Sequence, residues 1–274
     1  TASVGGASDL VRHVMCFDAA TGQKLWDQTV ESLLPETESI REDHGYASST
    51  PVADATHLYV FFGKSGVFCF DHSGKQLWRA DVGSQLNGWG SAASLTLLGK
   101  QLLVNACVES ESLISLDKAT GKELWRALSA KEPGYSSPVI YTFGGARQII
   151  LWHPESVNAL DPETGRVCWS TPFSSRFGLT APMPRQVDDR IFVTAFYDGS
   201  LMLRVTNVEA TPQVLWKSAK ASEKDTDMLH SIIPTPFIEG GYIYGVCSYG
   251  QLRCLKVDTG ERVVEEQVED ALFR

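Results

Sequence analysis

The segment Ala159-Leu160-Asp161-Pro162-Glu163-Thr164-Gly165-Arg166-Val167-Cys168-Trp169 occurs in this chain more than once. Cys16-Phe17-Asp18-Ala19-Ala20-Thr21-Gly22-Gln23-Lys24-Leu25-Trp26 and Ser115-Leu116-Asp117-Lys118-Ala119-Thr120-Gly121-Lys122-Glu123-Leu124-Trp125 place Asp, Thr, Gly and Trp in the same order and spacing. A copy one residue shorter keeps Asp71, Gly74 and Trp78. A degenerate copy retains Trp216, and a last one keeps Thr259-Gly260 but carries Lys256 and Val264 where Asp and Trp stood. Positions 26, 78, 125, 169, 216 and 264 are separated by 52, 47, 44, 47 and 48 residues. A period in that range signals a repeat architecture.

Outward from the motif, each unit reads as short strands and tight turns. Leu58 to Phe62 is a β-rich apolar run, Gly63 to Gly66 turns, Val67 to Phe70 is the next strand, and Gln76 to Ala80 follows the turn at Asp71 to Gly74. Small residues ending in Pro precede several units, at Ser48 to Val52, Ser136 to Val139, Thr180 to Met183 and Pro234 to Phe237, and these read as the innermost strands. Four strands in about 47 residues describe a blade of an all-β β-propeller. Full four-stranded antiparallel blades are expected at about 48–82, 91–128, 135–171, 179–219 and 232–268, with a partial blade in 1–30. Together they read as one domain over 1–274 and as a segment of a larger ring, with eight blades expected.

In each motif the Asp and Thr side chains are suited to satisfy backbone N–H groups of a turn, and Gly to take its left-handed position. The Trp then projects toward the neighbouring blade. Asp18, Gly22, Trp26, Asp71, Gly74, Trp78, Asp117, Gly121, Trp125, Asp161, Gly165, Trp169 and Trp216 are therefore structural, blade-docking residues. Burying such a Trp predicts a cost of about 3–5 kcal/mol for its replacement by Ala.

The pattern A-x-D-x-x-T-G-x-x-x-W, complete from Ala159 to Trp169, resembles the tryptophan-docking motif of the PQQ-like, quinoprotein-type β-propeller repeat family. The resemblance covers essentially the whole chain. Gly45-Tyr46-Ala47-Ser48-Ser49-Thr50-Pro51 and Gly245 to Gly250 resemble bacterial members without an assigned activity, often exported. The family includes PQQ-dependent alcohol dehydrogenases and cofactor-free scaffolds, among them the propeller lipoprotein of the outer-membrane assembly machinery. The resemblance thus implies an extracytoplasmic, periplasmic-type scaffold with no cofactor, binding a protein, a glycan or a small ligand. Its alternative is a PQQ- and calcium-dependent oxidoreductase acting on alcohols or sugars, with Asp43 or Asp198 as base by location alone. The adjacent-cysteine disulfide of well-known dehydrogenases has no counterpart here.

In a propeller, loops between blades and loops between second and third strands surround the channel mouth. The first class supplies Asp43, His44, Tyr46, Asn87, Trp89, Tyr135, Arg176, Phe177 and His230. The second supplies Glu109, Glu111, His153, Glu155, Tyr197, Asp198 and Tyr249. Of these, His44, Tyr46, Asn87, Trp89, Tyr135, His153, Arg176, Tyr197, Asp198, His230 and Tyr249 form the candidate ligand funnel. A metal set drawn from His44, His153 and His230 with Glu109 or Glu111 has suitable chemistry but no supporting spacing, and none is assigned. Gly-x-Ser-x-Gly is absent, which removes the nucleophile signature of a hydrolase.

Composition narrows the classes further. The 274 residues are 43% apolar and 21% charged, with a formal charge of −9. That acidity argues against nucleic acid as a partner, and no apolar run is long enough for a transmembrane helix. Cys16, Cys69, Cys107, Cys168, Cys247 and Cys254 show no zinc spacing and read as small buried apolar residues. Pro35 to Asp43 reads as a solvated acidic loop, and Lys217 to Asp227 as a mixed-charge linker with room for a helical turn. A monomeric propeller is expected.

Overall fold

A computed structural model describes residues 1–36, 45–83, 90–106, 112–131 and 134–267. The chain divides into two compact units, 1–133 and 134–274, each described by itself.

The first unit holds three sheets. β1 (Ala2–Val4), β2 (Val11–Phe17) and β3 (Lys24–Val30) form a three-stranded sheet. β4 (Val52–Ala53), β5 (His57–Phe61), β6 (Val67–Asp71) and β7 (Gln76–Ala80) form the next, and β8 (Thr96–Leu98), β9 (Gln101–Asn105), β10 (Leu113–Asp117) and β11 (Glu123–Ala127) the third. The second unit holds three four-stranded sheets: β12 (Val139–Phe143), β13 (Ala146–His153), β14 (Ser156–Leu160) and β15 (Val167–Pro172); β16 (Arg185–Val187), β17 (Arg190–Ala195), β18 (Gly199–Arg204) and β19 (Gln213–Lys217); and β20 (Phe237–Glu239), β21 (Tyr242–Val246), β22 (Gln251–Lys256) and β23 (Arg262–Gln267). All pairings are antiparallel between strands consecutive in sequence. Among the described residues no helix is long and apolar enough to cross a membrane.

Two expectations need correction. The partial blade in 1–30, expected to hold a stub and two strands, has three, because Ala2–Val4 is itself a paired strand with Val4 opposite Val11. The small-residue runs are not strands along their length. β4 pairs only at Val52 and Ala53, directly after Pro51, and β12, β16 and β20 start directly after Pro138, Pro184 and Pro236. Proline has no N–H to donate, so the ladder begins beyond it. The preceding small residues bond instead to the next such run: Thr50 N–H donates to Ser94 Oγ at 3.0 Å and Met183 N–H to Thr235 Oγ1 at 3.0 Å.

Consecutive sheets pack face to face. Tyr59, Val67 and Cys69 meet Leu102, Val104 and Ile114 in one core. Ile150, Trp152 and Ala159 meet Ile191, Val193 and Leu203 in another, and Phe192 and Met202 meet Ile243 and Leu255.

The repeated motif builds both the turn and the staple. Asp18, Asp117 and Asp161 each accept hydrogen bonds from the N–H groups two and three residues on, and from a Thr Oγ1 at 2.8 Å. The Thr hydroxyl, followed by these backbone donors, holds the carboxyls below their ordinary value. Asp71 does the same in its shorter turn, led by Ser73 Oγ at 2.6 Å. The preceding Trp lies on the turn glycine. A Cβ on Gly121 would stand 2.6 Å from Trp78 Cε3, and Trp78 Nε1 donates to Lys118 O at 3.2 Å. Trp26 repeats this on Gly74 and His72 O, and Trp216 on Gly260 and Val257 O.

Each Trp follows a β-bulge. Cys69 pairs with Trp78 and Phe70 with Gln76, so Leu77 is the extra residue; Leu25, Leu124, Cys168, Leu215 and Val263 occupy the same place. The bulge adds local twist and is part of why Gly and Trp keep a four-residue spacing. Trp26, Trp78, Trp125 and Trp216 remain half-buried, whereas Trp169 is only 3% exposed. The cost of about 3–5 kcal/mol for loss of a buried aromatic ring therefore applies in full to Trp169 alone. Trp125 Nε1 is buried without a partner among the described residues. Trp169 faces the decayed copy that ends at Trp216, and there its Nε1 reaches Gln148 Oε1 at 3.4 Å, Gln148 Nε2 donates to Val208 O, and Arg166 forms a two-bond pair with Glu209.

Cys69, Cys247 and Cys254 are buried, but Cys16 and Cys168 are only partly so. Cys168 is the bulge residue of its strand and packs, partly buried, against the edge of the core. Cys107 lies outside the described residues.

Candidate functional site: an aromatic and arginine face

Of the expected funnel, His44, Asn87 and Trp89 lie outside the described residues, as do Asp43, Glu109 and Glu111. Tyr46 belongs to the first unit. Its carbonyl accepts from Arg12 Nε at 3.1 Å and its N–H donates to Ser3 Oγ.

The second unit brings Arg176, Tyr197, Asp198 and Tyr249 together. A tight turn, Arg176–Gly178, precedes β16, with Phe177 in the left-handed region at φ 59°. Arg176 N–H donates to Asp198 Oδ2 at 2.9 Å and its Nε reaches Oδ1 at 3.4 Å, while Nη2 donates to Ala221 O. The guanidinium then lies 5.2 Å over the ring of Tyr197. Phe177 meets Tyr197 edge-on at 5.4 Å, Phe196 meets Tyr197 at 4.8 Å, and Phe196 meets Tyr249 at 5.9 Å. These are favourable offset and edge geometries. The strand-to-strand loops at Phe196 and Tyr249 thus present a connected aromatic surface, with Phe177 63% and Tyr249 38% exposed.

His230 lies beneath it, fully buried. Its Nδ1 faces Phe196 O at 3.2 Å and its Nε2 faces Asp227 Oδ1 at 3.3 Å. Burial lowers its pKa, and the Asp227 hydrogen bond works in the opposite direction. Both ring nitrogens face acceptor oxygens, and the neutral imidazole that burial favours donates to one of them. Burial also raises the Asp227 carboxyl, but donors from Ala219 N–H, Met228 N–H, His230 and Ser218 outweigh it and bring the value to about 2. The linker from Lys217 to Asp227 therefore contains no helical turn; Asp227 organises it from within. His153, 2% exposed at the end of β13, is pushed down to about 4 by burial, with Glu155 opposing. Tyr135 is tied by its N–H to Thr180 Oγ1 at 3.2 Å.

Sequence reasoning missed Phe196, which carries no motif and joins the cluster only through packing. It also misread the start of the acidic loop. Glu36 is buried and pairs with Arg12, whose Nη1 donates to Ser65 Oγ at 2.6 Å and whose guanidinium lies 5.4 Å over Phe62. A buried guanidinium demands a carboxylate, and Glu36 supplies it.

The described donors do not make up a quinone–calcium centre. Among the described residues no group of three His, Cys, Asp or Glu side chains is placed to hold a metal ion, and Asp198 is committed to Arg176. No redox step is assigned to these residues.

Consecutive up-and-down sheets stapled by tryptophan on a glycine turn define a β-propeller of the PQQ-repeat class. Residues 12–265 match the family described as outer membrane protein assembly factor BamB, and the chain belongs to that family. It is 28% identical over 179 residues to an outer membrane protein assembly factor BamB of Burkholderia pseudomallei (strain K96243), a match covering 65% of this chain and 41% of that protein. Among solved structures, BamB from Moraxella catarrhalis shares 14% identity with a TM-score of 0.64, over 96% of this chain and 71% of that one. A europium-containing methanol dehydrogenase gives a TM-score of 0.60 at 11% identity, over 97% of this chain and 68% of that one. At such identities the two structures share the fold with this chain, and the fold does not separate scaffold from dehydrogenase.

Proposed function

We propose that this chain is the propeller of an outer-membrane protein assembly factor: a non-catalytic, periplasmic scaffold, acting as one monomeric domain, that binds a protein through the aromatic face of residues 134–274. The names of the family and of its Burkholderia relative support the class of function. The binding reading is carried by Phe177. A bulky side chain in the left-handed region is a backbone outlier, and this one holds its ring 63% exposed against Tyr197. Both features suit an interface, where aromatic and arginine side chains supply most of the binding energy. On the last sheet Phe237, Tyr244 and Val264 are 55%, 40% and 47% exposed, in the row that other sheets cover with their successor.

The test is complementation in the native host. Cells lacking the gene are supplied with the full-length wild type or with Phe177→Asp plus Tyr197→Ala, and outer-membrane protein abundance is measured at matched expression. Wild type restores abundance and the double variant does not. Equal restoration by both would remove this face as the binding site.

A further inference from the structure

A cleft of about 390 Å³ adjoins the aromatic face, between the end of β15 and the segment leaving β19. Its wall is Phe173, 2% exposed and stacked on buried Trp152 at 5.3 Å with 19° between planes. Trp152 Nε1 also donates to Phe173 O at 3.2 Å, so the platform is fixed from behind. Opposite stand Lys217, Ser218 and Lys220, with Asp198 also lining the cleft.

The charges do not balance. Asp198 is engaged by Arg176. Lys217 Nζ lies 5.3 Å over the Phe173 ring and has no carboxylate partner among the described residues. Lys220 pairs with Asp225 at 2.5 Å, but the two side chains are 46% and 71% exposed, and such a surface pair contributes little and exchanges readily. The cleft of this acidic chain thus presents one ammonium without a carboxylate partner among the described residues, Lys217, beside a second, Lys220, held by an exposed pair.

We propose that this cleft receives an acidic, extended segment of the protein partner. A Glu or Asp carboxylate of that segment sits between Lys217 and Lys220. The cleft accommodates one or two side chains, which suits a peptide anchor. Charge complementarity of this kind gives register and speeds encounter. The inference rests on the scaffold reading above and names the chemistry of the partner.

The experiment is a fluorescence-anisotropy titration of the full chain with fluorescein-labelled hexaglutamate, beside hexaglutamine. Hexaglutamate should bind saturably and weaken as salt rises, and hexaglutamine should not bind. Lys217→Gln with Lys220→Gln should weaken hexaglutamate at least tenfold, while Lys256→Gln, on the β22–β23 turn, should leave it within twofold. Both lysines of the cleft are exposed, so their loss leaves the fold intact, which circular dichroism checks. Equal binding by the double variant, or equal binding of hexaglutamine, overturns the proposal. The titration judges the cleft and the complementation judges the aromatic face, so either can fail alone.

Discussion

The glycines of the docking turns separate two demands that the sequence motif merges. Gly22 and Gly121 have φ of 71° and 72°, so both need the left-handed region. Around Gly22 no atom lies within 4 Å of an added Cβ, whereas at Gly121 the Trp78 ring lies 2.6 Å away. Gly22→Ala should therefore cost only the backbone penalty of about 1–2 kcal/mol. Gly121→Ala should add overpacking and cost about 2–5 kcal/mol in total. Urea denaturation of the two variants checks the difference. Asp227 makes a second prediction at this scale. Its folded pKa of about 2 lies below the ordinary 3.8, so it stabilises the fold above about pH 4. That contribution is lost as pH falls from about 4 through 2. Asp227→Asn should be less stable at neutral pH and should show a shallower loss across that window, measured by denaturation at each pH.

At the scale of elements, the segment leaving β3 is held to β2 of the first sheet by the buried Arg12–Glu36 pair, with side-chain exposures of 3% each, and Arg12 in turn reaches Ser65 of the second sheet. Lys64 on the β5–β6 connection also donates to Pro35 O. Breaking a buried pair strands the remaining charge. Glu36→Gln should thus destabilise the protein by about 3–5 kcal/mol, while Arg12→Met with Glu36→Leu should recover most of that loss. Thermal or urea unfolding of the single and double variants decides it. No reading of the chain finds this pair, because its members are 24 residues apart and belong to no periodic pattern. The strands and docking turns were legible for the opposite reason: Asp, Thr, Gly and Trp each act within or next to their own turn and recur every 47 residues or so. The bulge before each Trp was not, since an extra residue in one strand is visible only against its partner. The proline-terminated runs were misjudged as strands because small residues fit an inner position, while the missing N–H of Pro51 decides where pairing starts.

At the scale of the whole molecule, the charge and the repeat constrain function less than the side chains on one face do. Family membership groups the chain with outer membrane protein assembly factors by description, and the propeller itself is shared with a methanol dehydrogenase. The candidate site was half legible: loop position selected Arg176, Tyr197, Asp198 and Tyr249, but their union depends on Phe196 and on the strained turn at Phe177. Loop residues converge by tertiary geometry and leave no spacing to read. The most direct test of the account is site-specific photocrosslinking in the native host, with a photoreactive amino acid placed at Phe177 and, as a control, at Gly22. The account predicts one discrete crosslinked product at position 177, containing an outer-membrane assembly protein by mass spectrometry, and none at position 22. A wild-type level of folded, complementing protein that yields no crosslink at position 177 would contradict it.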